Sequence, residues 1–197
     1  MGNIVIYVHG KGGAAEEEEH YKRLFPKAEV IGFDYCATTP WEAKAEFSAF
    51  FEKYRRRGDV LTLIANSIGA FFSMYSLDET LVDKAYLISP IVDMEKLIGS
   101  MMRQADVTEQ ELAQKLEIPT RFGETLSWHY LSYVREHTIV WHVPTCILYG
   151  ERDELTSFET ISAFAKRINA ELTVMPNGEH WFHTEEQMKF LDNWIVR

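Results

Sequence analysis

The pentapeptide Ala65-Asn66-Ser67-Ile68-Gly69 directly follows an apolar run of strand length and opens a segment of helical period. A serine on a tight strand-to-helix turn is exposed for nucleophilic attack, provided that the residues two positions to either side are small. Ala65 and Gly69 meet that demand. The alternative is that Ser67 only caps the helix N-terminus, a position that serine favours. We predict that Ser67 is a nucleophile.

A carboxylate that could serve this serine stands in Tyr149-Gly150-Glu151-Arg152-Asp153, which follows a later apolar run. An acid in such a loop can reach a histidine on the next loop and hold the tautomer that the histidine needs as a base. Acidic residues are also common in turns that have no catalytic role. We predict that Asp153 is the acid, since Glu151 or Glu154 would aim the side chain differently.

Two histidines, His180 and His183, lie in the segment Asn177–His183, between the last strand-like run and the last helical pattern. A base must lie within hydrogen-bond reach of the serine. His180 follows Gly178 in the turn, whereas His183 stands where the helix begins, so we predict that His180 is the base. A metal site on the two histidines is disfavoured because no further ligand cluster stands nearby in the sequence.

The segment His9-Gly10-Lys11-Gly12-Gly13 ends the first apolar run. Glycine-rich backbone at that place can direct N–H groups at a developing oxyanion. A phosphate-binding loop is the competing interpretation. It is disfavoured because the pattern GxxxxGK[ST] is absent and because the chain has a formal charge of −10.

Six apolar runs of strand length follow one another along the chain. They are continuous rather than alternating, which is typical of parallel strands buried on both faces. The runs cover residues 4–8, 28–33, 60–64, 85–88, 145–149 and 172–175. Each of the candidate catalytic segments comes directly after one of these strands.

Segments of helical period alternate with the strands. One apolar stripe consists of Phe47, Phe50, Phe51 and Tyr54, at the spacing i, i+3, i+4 and i+7. Similar stripes are Ile68, Phe71, Phe72 and Tyr75; Phe158, Ile161, Ala165 and Ile168; and Leu191, Trp194 and Ile195. The alternation predicts a three-layer α/β/α sandwich around a parallel sheet of about six strands.

Residues 91–143 interrupt this alternation, because they are too many for one crossover helix. We predict a single domain over residues 1–197 with a helical cap inserted at residues 91–143. The apolar side chains of this stretch are Met101, Met102, Leu112, Leu116, Trp128, Tyr130, Leu131, Tyr133 and Trp141. Met101, Met102, Trp128 and Tyr133 are candidate substrate contacts, although each could equally belong to the core of the cap.

Composition limits the classes of function. The hydrophobic fraction of 46% is ordinary for a globular protein. A charge of −10 disfavours nucleic acid as a partner, and no apolar run approaches the length of a membrane span. We also expect no signal peptide.

Cys36 and Cys146 form no CxxC pair, and we expect both to be core or near-core thiols in a reducing cytoplasm.

The serine, the acid and the histidine occur in the order of the α/β-hydrolases, each directly after a strand. With the glycine-rich turn, they make nearly the whole chain resemble that superfamily. The resemblance implies that the Ile68 N–H is one oxyanion donor and that the Lys11 N–H is the second, with Gly10 as the other candidate. It implies the strand order second, first, third, fourth, fifth, sixth, and it places the family's cap at residues 91–143.

The chain departs from the family pattern at two places. The antiparallel strands that usually precede the first parallel strand are missing, and Ala65 replaces the first glycine of the strand-to-helix turn that carries the nucleophile.

Some members of the superfamily carry the acid after the fourth strand, where this chain has Asp93. Asp93 is therefore the alternative to Asp153.

The function that these residues predict is hydrolysis of a small carboxylester, or a thioester, through an acyl-enzyme. We expect a carboxylesterase that needs no cofactor and no metal and binds neither nucleic acid nor membrane. A homodimer is an open alternative to a monomer. The rival hypothesis is a non-catalytic protein of the same fold that binds a small molecule.

Overall fold

A six-stranded sheet organises the chain, and all of its neighbouring strands are parallel. The computed structural model describes residues 2–197. The strands of this sheet are β1 (Asn3–Val8), β2 (Glu29–Phe33), β3 (Val60–Asn66), β4 (Lys84–Ile88), β7 (Thr145–Gly150) and β8 (Glu171–Met175). Their spatial order is β2-β1-β3-β4-β7-β8, which confirms the predicted order.

The central strands are buried on both faces, as their continuous apolar runs predict. Ile4 to Val8 of β1 are each at most 3% exposed, and Leu63, Ile64 and Ala65 of β3 are completely buried. The register sets Val8 beside Ala65, and it sets Asn66 beside Ile88. The carboxyl ends of these strands therefore lie along one edge of the sheet, and the loops that follow them start close together.

Helices connect or follow these strands, and all but the first carry a predicted apolar stripe. They are α1 (Glu18–Lys22), preceded by a 3-10 turn (Ala15–Glu17), α2 (Pro40–Tyr54), α3 (Ser67–Ser76), α7 (Phe158–Arg167) and α8 (Glu185–Ile195). The start of α2 shows why the sequence begins a helix there: the Thr39 hydroxyl accepts the Glu42 N–H, and Pro40 occupies the first turn. Phe47 and Phe51 of its stripe are fully buried.

The chain divides into two compact units. The first unit contains the residues up to Val92 together with Val140–Arg197, and the second is Asp93–Ile139. Trp141, which the sequence analysis assigns to the insertion, belongs to the first unit, where its indole N–H donates to the Thr145 hydroxyl over 2.8 Å.

The second unit contains α4 (Met94–Gln104), α5 (Glu109–Lys115), α6 (Trp128–Glu136) and an antiparallel pair of short strands, β5 (Glu117–Pro119) and β6 (Thr125–Ser127). Arg135 binds both carboxylate oxygens of Glu109 and one oxygen of Glu95, which ties α6 to α5 and α4. The two short strands are absent from the sequence prediction, because three residues are too few to show an alternating pattern.

The expectation for the cysteines is wrong for Cys36, which is exposed, while Cys146 is half-buried on β7. Cys36 lies in the loop after β2, where its N–H and that of Ala37 donate to the Glu46 carboxylate. These hydrogen bonds fix a loop on the surface, so the thiol faces solvent. Within residues 2–197, no helix combines the length and the apolar character needed to cross a bilayer.

Gly32 marks a close approach between β2 and the 3-10 turn before α1. A Cβ atom at this position would lie 2.0 Å from the carbonyl oxygen of Ala15. We expect Gly32→Ala to lower the free energy of unfolding by about 1–3 kcal/mol, because the backbone of the turn must move. Denaturant unfolding measures this change.

Gly99→Ala is the control for this substitution. Its added Cβ would meet nothing nearer than the Arg103 guanidinium at 3.7 Å. In the middle of α4 the change should leave stability equal or higher, since alanine is the better helix former. If both variants are as stable as the parent chain, the contact at Gly32 does not constrain the fold.

Candidate active site

Ser67 occupies a strained turn between β3 and α3. Its φ angle is 48°, in the left-handed region that a serine rarely adopts. A Cβ atom at Gly69 would lie 2.2 Å from the carbonyl oxygen of His9, so any residue other than glycine would require the His9 backbone to move. Ala65 is completely buried between Val8 and Leu87. The packing of its neighbours therefore requires glycine at position 69, while Ala65 fills a fully buried place in the sheet.

His180 connects the serine to the acid. Its Nε2 lies 2.8 Å from the Ser67 Oγ, and its Nδ1 lies 2.7 Å from the Asp153 Oδ2. A proton on Nδ1 donated to the carboxylate leaves Nε2 to accept the serine hydroxyl proton. The structure thus brings together the three residues that the sequence analysis singles out, in one line of hydrogen bonds.

The loop after β7 fixes the orientation of the Asp153 carboxylate, which has no exposed side-chain surface. Its Oδ1 accepts the N–H groups of Leu155 at 2.8 Å and Thr156 at 3.0 Å, while Oδ2 faces His180. The buried Tyr149 hydroxyl donates to the Thr156 carbonyl over 2.9 Å and so anchors this loop to β7. Backbone N–H groups of the loop therefore fix one carboxylate oxygen, and the other oxygen is directed at His180.

The two alternative residues have other contacts. Asp93 is the N-cap of α4 in the second unit, where its carboxylate accepts the Lys96 N–H over 3.0 Å. His183 donates from Nδ1 to the Trp181 carbonyl over 2.7 Å, and its ring stacks on the Trp181 indole. The hydrogen bonds of the first unit thus favour Asp153 over Asp93 and His180 over His183.

The acid loop and the histidine loop lie backbone against backbone. The Arg152 N–H donates to the Gly178 carbonyl over 2.8 Å, and the Glu151 N–H donates to the Met175 carbonyl. A Cβ atom at Gly150 would lie 2.4 Å from the Glu179 oxygen and 2.6 Å from the Gly178 oxygen. Gly150 therefore permits the short distance between Asp153 and His180.

The glycine-rich turn after β1 lies against the serine. It is closed by a hydrogen bond from the Gly13 N–H to the Gly10 carbonyl, and a Cβ atom at Gly10 would lie 3.2 Å from the Ser67 Cβ. Gly10 and Lys11 line the cavity that opens beside Ser67. The Ile68 N–H belongs to the first turn of α3, where backbone donors have no acceptor within the helix.

The cavity beside Ser67 has a volume of about 560 Å³. One part of its wall is apolar and is formed by Ile88, Leu155, Trp181, Phe182, Met188 and Leu191. Another part is polar and includes Tyr7, Glu17 and Asn66. Tyr7 lies within an apolar strand and Glu17 within a run of acidic residues, so the sequence pattern does not indicate the polar part.

The four candidate substrate contacts lie in the second unit. Met101 and Met102 are on α4, and Trp128 and Tyr133 are on α6. Met102 is buried, while the other three side chains are half-buried. Their role as substrate contacts stays a prediction.

Solved structures share this fold. Est1E from Butyrivibrio proteoclasticus superposes with a TM-score of 0.75 at 16% identity, over 99% of this chain and 86% of that chain. Alpha/beta hydrolase domain-containing protein 10 from mouse gives 0.75 at 17% identity, over 98% and 87%. An esterase from Pyrococcus furiosus gives 0.63 at 19% identity, over 98% and 80%. No family model matches the chain, and no curated protein matches it in sequence. The predicted α/β-hydrolase fold is confirmed.

The close contact at Gly150 generates a test of the site geometry. We expect Gly150→Ala to push the Glu179–His180 backbone away from β7 and to lower the free energy of unfolding by about 1–3 kcal/mol. A crystal structure of the variant should show the His180 Nε2 beyond hydrogen-bond reach of the Ser67 Oγ. An unchanged distance would mean that this glycine does not position the histidine.

Proposed function

We propose that the protein is a serine hydrolase that cleaves a small carboxylester or thioester through an acyl-enzyme. The observation that carries the proposal is the continuous line from the Ser67 Oγ through His180 to the Asp153 carboxylate, with hydrogen bonds of 2.8 and 2.7 Å. A nucleophile that is bonded to a base, and a base that is oriented by a third group, form the arrangement needed for acyl transfer.

In the proposed reaction, His180 takes the hydroxyl proton of Ser67 while Oγ attacks the carbonyl carbon of the substrate. The negative charge of the tetrahedral intermediate falls on the former carbonyl oxygen, and Asp153 stabilises the imidazolium. The intermediate collapses when His180 gives its proton to the departing alcohol or thiol. A water molecule, activated by the same histidine, then releases the acid and restores Ser67.

The backbone N–H groups of Ile68 and Lys11 are the proposed oxyanion donors, with Gly10 as the alternative to Lys11. Such a donor contributes about 3 kcal/mol when it is aimed at the developing charge. The left-handed φ of Ser67, 48°, supports this assignment, because the turn that exposes Oγ also directs the first N–H groups of α3 toward the same space.

The cavity supports a small substrate with an apolar part. Its volume of about 560 Å³ is within the usual range for small-molecule sites. Trp181 and Leu155, 71% and 49% exposed, offer apolar surface at its wall. The Glu17 carboxylate and the charge of −10 disfavour anionic substrates. One neighbour, Est1E, has been solved with ferulic acid bound, an aromatic acid.

The cap residues Met101, Met102, Trp128 and Tyr133 stay candidates for additional substrate contacts. We keep the cytoplasm as the proposed compartment, because Cys36 and Cys146 are both free thiols. A small ester-like molecule is the proposed partner, and a homodimer remains open.

Ser67→Ala should abolish hydrolysis of a panel of neutral aryl and alkyl esters and thioesters of varied acyl length. It should also abolish labelling by a fluorophosphonate probe, since no Oγ remains to attack phosphorus. Ser73→Ala is the matched control, because the Ser73 hydroxyl donates to the Gly69 carbonyl within the same helix. The control should keep both turnover and labelling.

Two outcomes would overturn the proposal. If Ser67→Ala retains turnover, another residue attacks the substrate. If the parent chain neither reacts with the probe nor hydrolyses any ester or thioester, but binds the same neutral esters in the cavity, the protein is the non-catalytic binding protein that the sequence leaves as a rival.

Asp153→Asn should reduce turnover by about 10⁴, because an amide does not hold the Nδ1 proton of His180 in the same way. Asp93→Asn, at the N-cap of α4, should stay within a few-fold of the parent chain. Steady-state kinetics on one ester measure both. Loss of activity in the Asp93 variant alone would transfer the role of acid to Asp93.

A further inference from the structure

A second chain of hydrogen bonds starts beside the nucleophile and leads away from His180. The Asn66 amide donates from Nδ2 to the Tyr7 hydroxyl over 2.9 Å, and this hydroxyl donates to the Glu17 carboxylate. Asn66 is the residue directly before Ser67, at the end of β3. Tyr7 belongs to β1, and Glu17 ends the 3-10 turn before α1. The reaction proposed above uses none of the three side chains.

The far end of this chain contacts the glycine-rich turn. The second oxygen of Glu17, Oε1, accepts the Ala14 N–H over 3.4 Å. A Cβ atom at Gly13 would lie 3.0 Å from the same oxygen. The carboxylate therefore lies against Gly13 and accepts a long hydrogen bond from Ala14, both in the segment that follows Lys11.

The middle member of the chain is a firm link. Tyr7 is 1% exposed, so a broken hydrogen bond at its hydroxyl would leave a polar group without water. Burial, then the neighbouring Tyr21, then the Glu17 carboxylate raise the pKa of Tyr7 far above its usual value. The hydroxyl therefore stays protonated and donates a hydrogen bond to the Glu17 carboxylate.

We propose that Tyr7 and Glu17 are positioning residues that set the distance between the two oxyanion donors. The inference rests on the proposed function. Ile68 lies in the strand-to-helix turn that also contains Asn66, and Lys11 lies in the glycine-rich turn that Glu17 contacts. The chain Asn66–Tyr7–Glu17–Ala14 joins these two segments independently of the triad.

Such a role has a kinetic signature. The negative oxygen exists in the transition state and not in the bound ester, so misplaced donors lower kcat and leave KM nearly unchanged. A side chain that only supports the fold would lower stability without this split between kcat and KM. A substrate contact would change KM.

Tyr7→Phe breaks the chain at its centre and keeps the ring. We expect kcat for a neutral ester to fall about tenfold, a fraction of the loss of a whole oxyanion donor, with KM within twofold. The affinity for a boronic acid that forms a tetrahedral adduct with Ser67 should fall by a similar factor.

Tyr86→Phe is the matched control. Tyr86 is a buried tyrosine on β4 in the same apolar cluster, and its hydroxyl accepts the Lys84 ammonium over 2.5 Å. It is not among the residues that line the cavity. The control should keep kcat, KM and boronic acid affinity, and thermal unfolding of both variants reports any general loss of stability.

Substitutions at Glu17 provide a second test that disturbs the core less than a change at Tyr7, because the Glu17 side chain lies on the surface. Glu17→Gln keeps an oxygen that can accept from Tyr7, whereas Glu17→Ala removes it. We expect the alanine variant to lose about tenfold in kcat and the glutamine variant to recover most of that loss. The double variant Tyr7→Phe with Glu17→Ala should be no slower than the slower single variant, since both break one chain.

The proposal is overturned if Tyr7→Phe and Tyr86→Phe are equally active, if the losses appear in KM, or if the losses from Tyr7 and Glu17 multiply. These outcomes are distinct from a failure of the proposed function. That failure would appear as an inactive parent chain, or as turnover that survives Ser67→Ala.

Discussion

The left-handed backbone of Ser67 is the constraint on which the site depends. A φ of 48° is unfavourable for a serine and persists only where its surroundings determine it. Here β3 ends between β1 and β4, and the Gly69 backbone packs against the His9 carbonyl so closely that a Cβ would lie 2.2 Å from that oxygen. The core of the sheet thus holds the strain that exposes Oγ.

The same kind of backbone contact recurs at the other half of the site. Gly150 lets the loop after β7 lie against the loop after β8, as Gly69 lets α3 lie against β1. The serine, the acid and the histidine are therefore positioned by main-chain packing at the edge of one sheet. Only then do the side-chain hydrogen bonds through His180 complete the arrangement.

Main-chain packing at the strand ends positions the triad, and this explains which parts of the site could be predicted from the sequence. Continuous apolar runs reveal parallel strands, and residues that directly follow such strands must meet at one edge, so Ser67, Asp153 and His180 could be predicted to come together. The resemblance supplied the strand order. Tyr7 and Glu17 could not be assigned a role, because their partners depend on how β1 packs beside β3. The exposure of Cys36 and the short β5–β6 pair depend on local contacts that leave no periodic pattern.

Main-chain packing constrains the start of the glycine-rich turn, where Gly10 lies against Ser67, more closely than it constrains Gly12. The glycine-rich turn has few side chains that could anchor it. Gly12 adopts a φ of 76°, and a Cβ atom added there would meet no described atom within 4 Å. Beyond the hydrogen bond from the Gly13 N–H to the Gly10 carbonyl, the glycines of this turn contribute no side chains that restrict its backbone. The support proposed for this turn comes from a core side chain, because the Tyr7 ring is buried in β1 while its hydroxyl reaches Glu17. In the proposed role, Tyr7 and Glu17 thus connect the buried strand β1 to the glycine-rich turn.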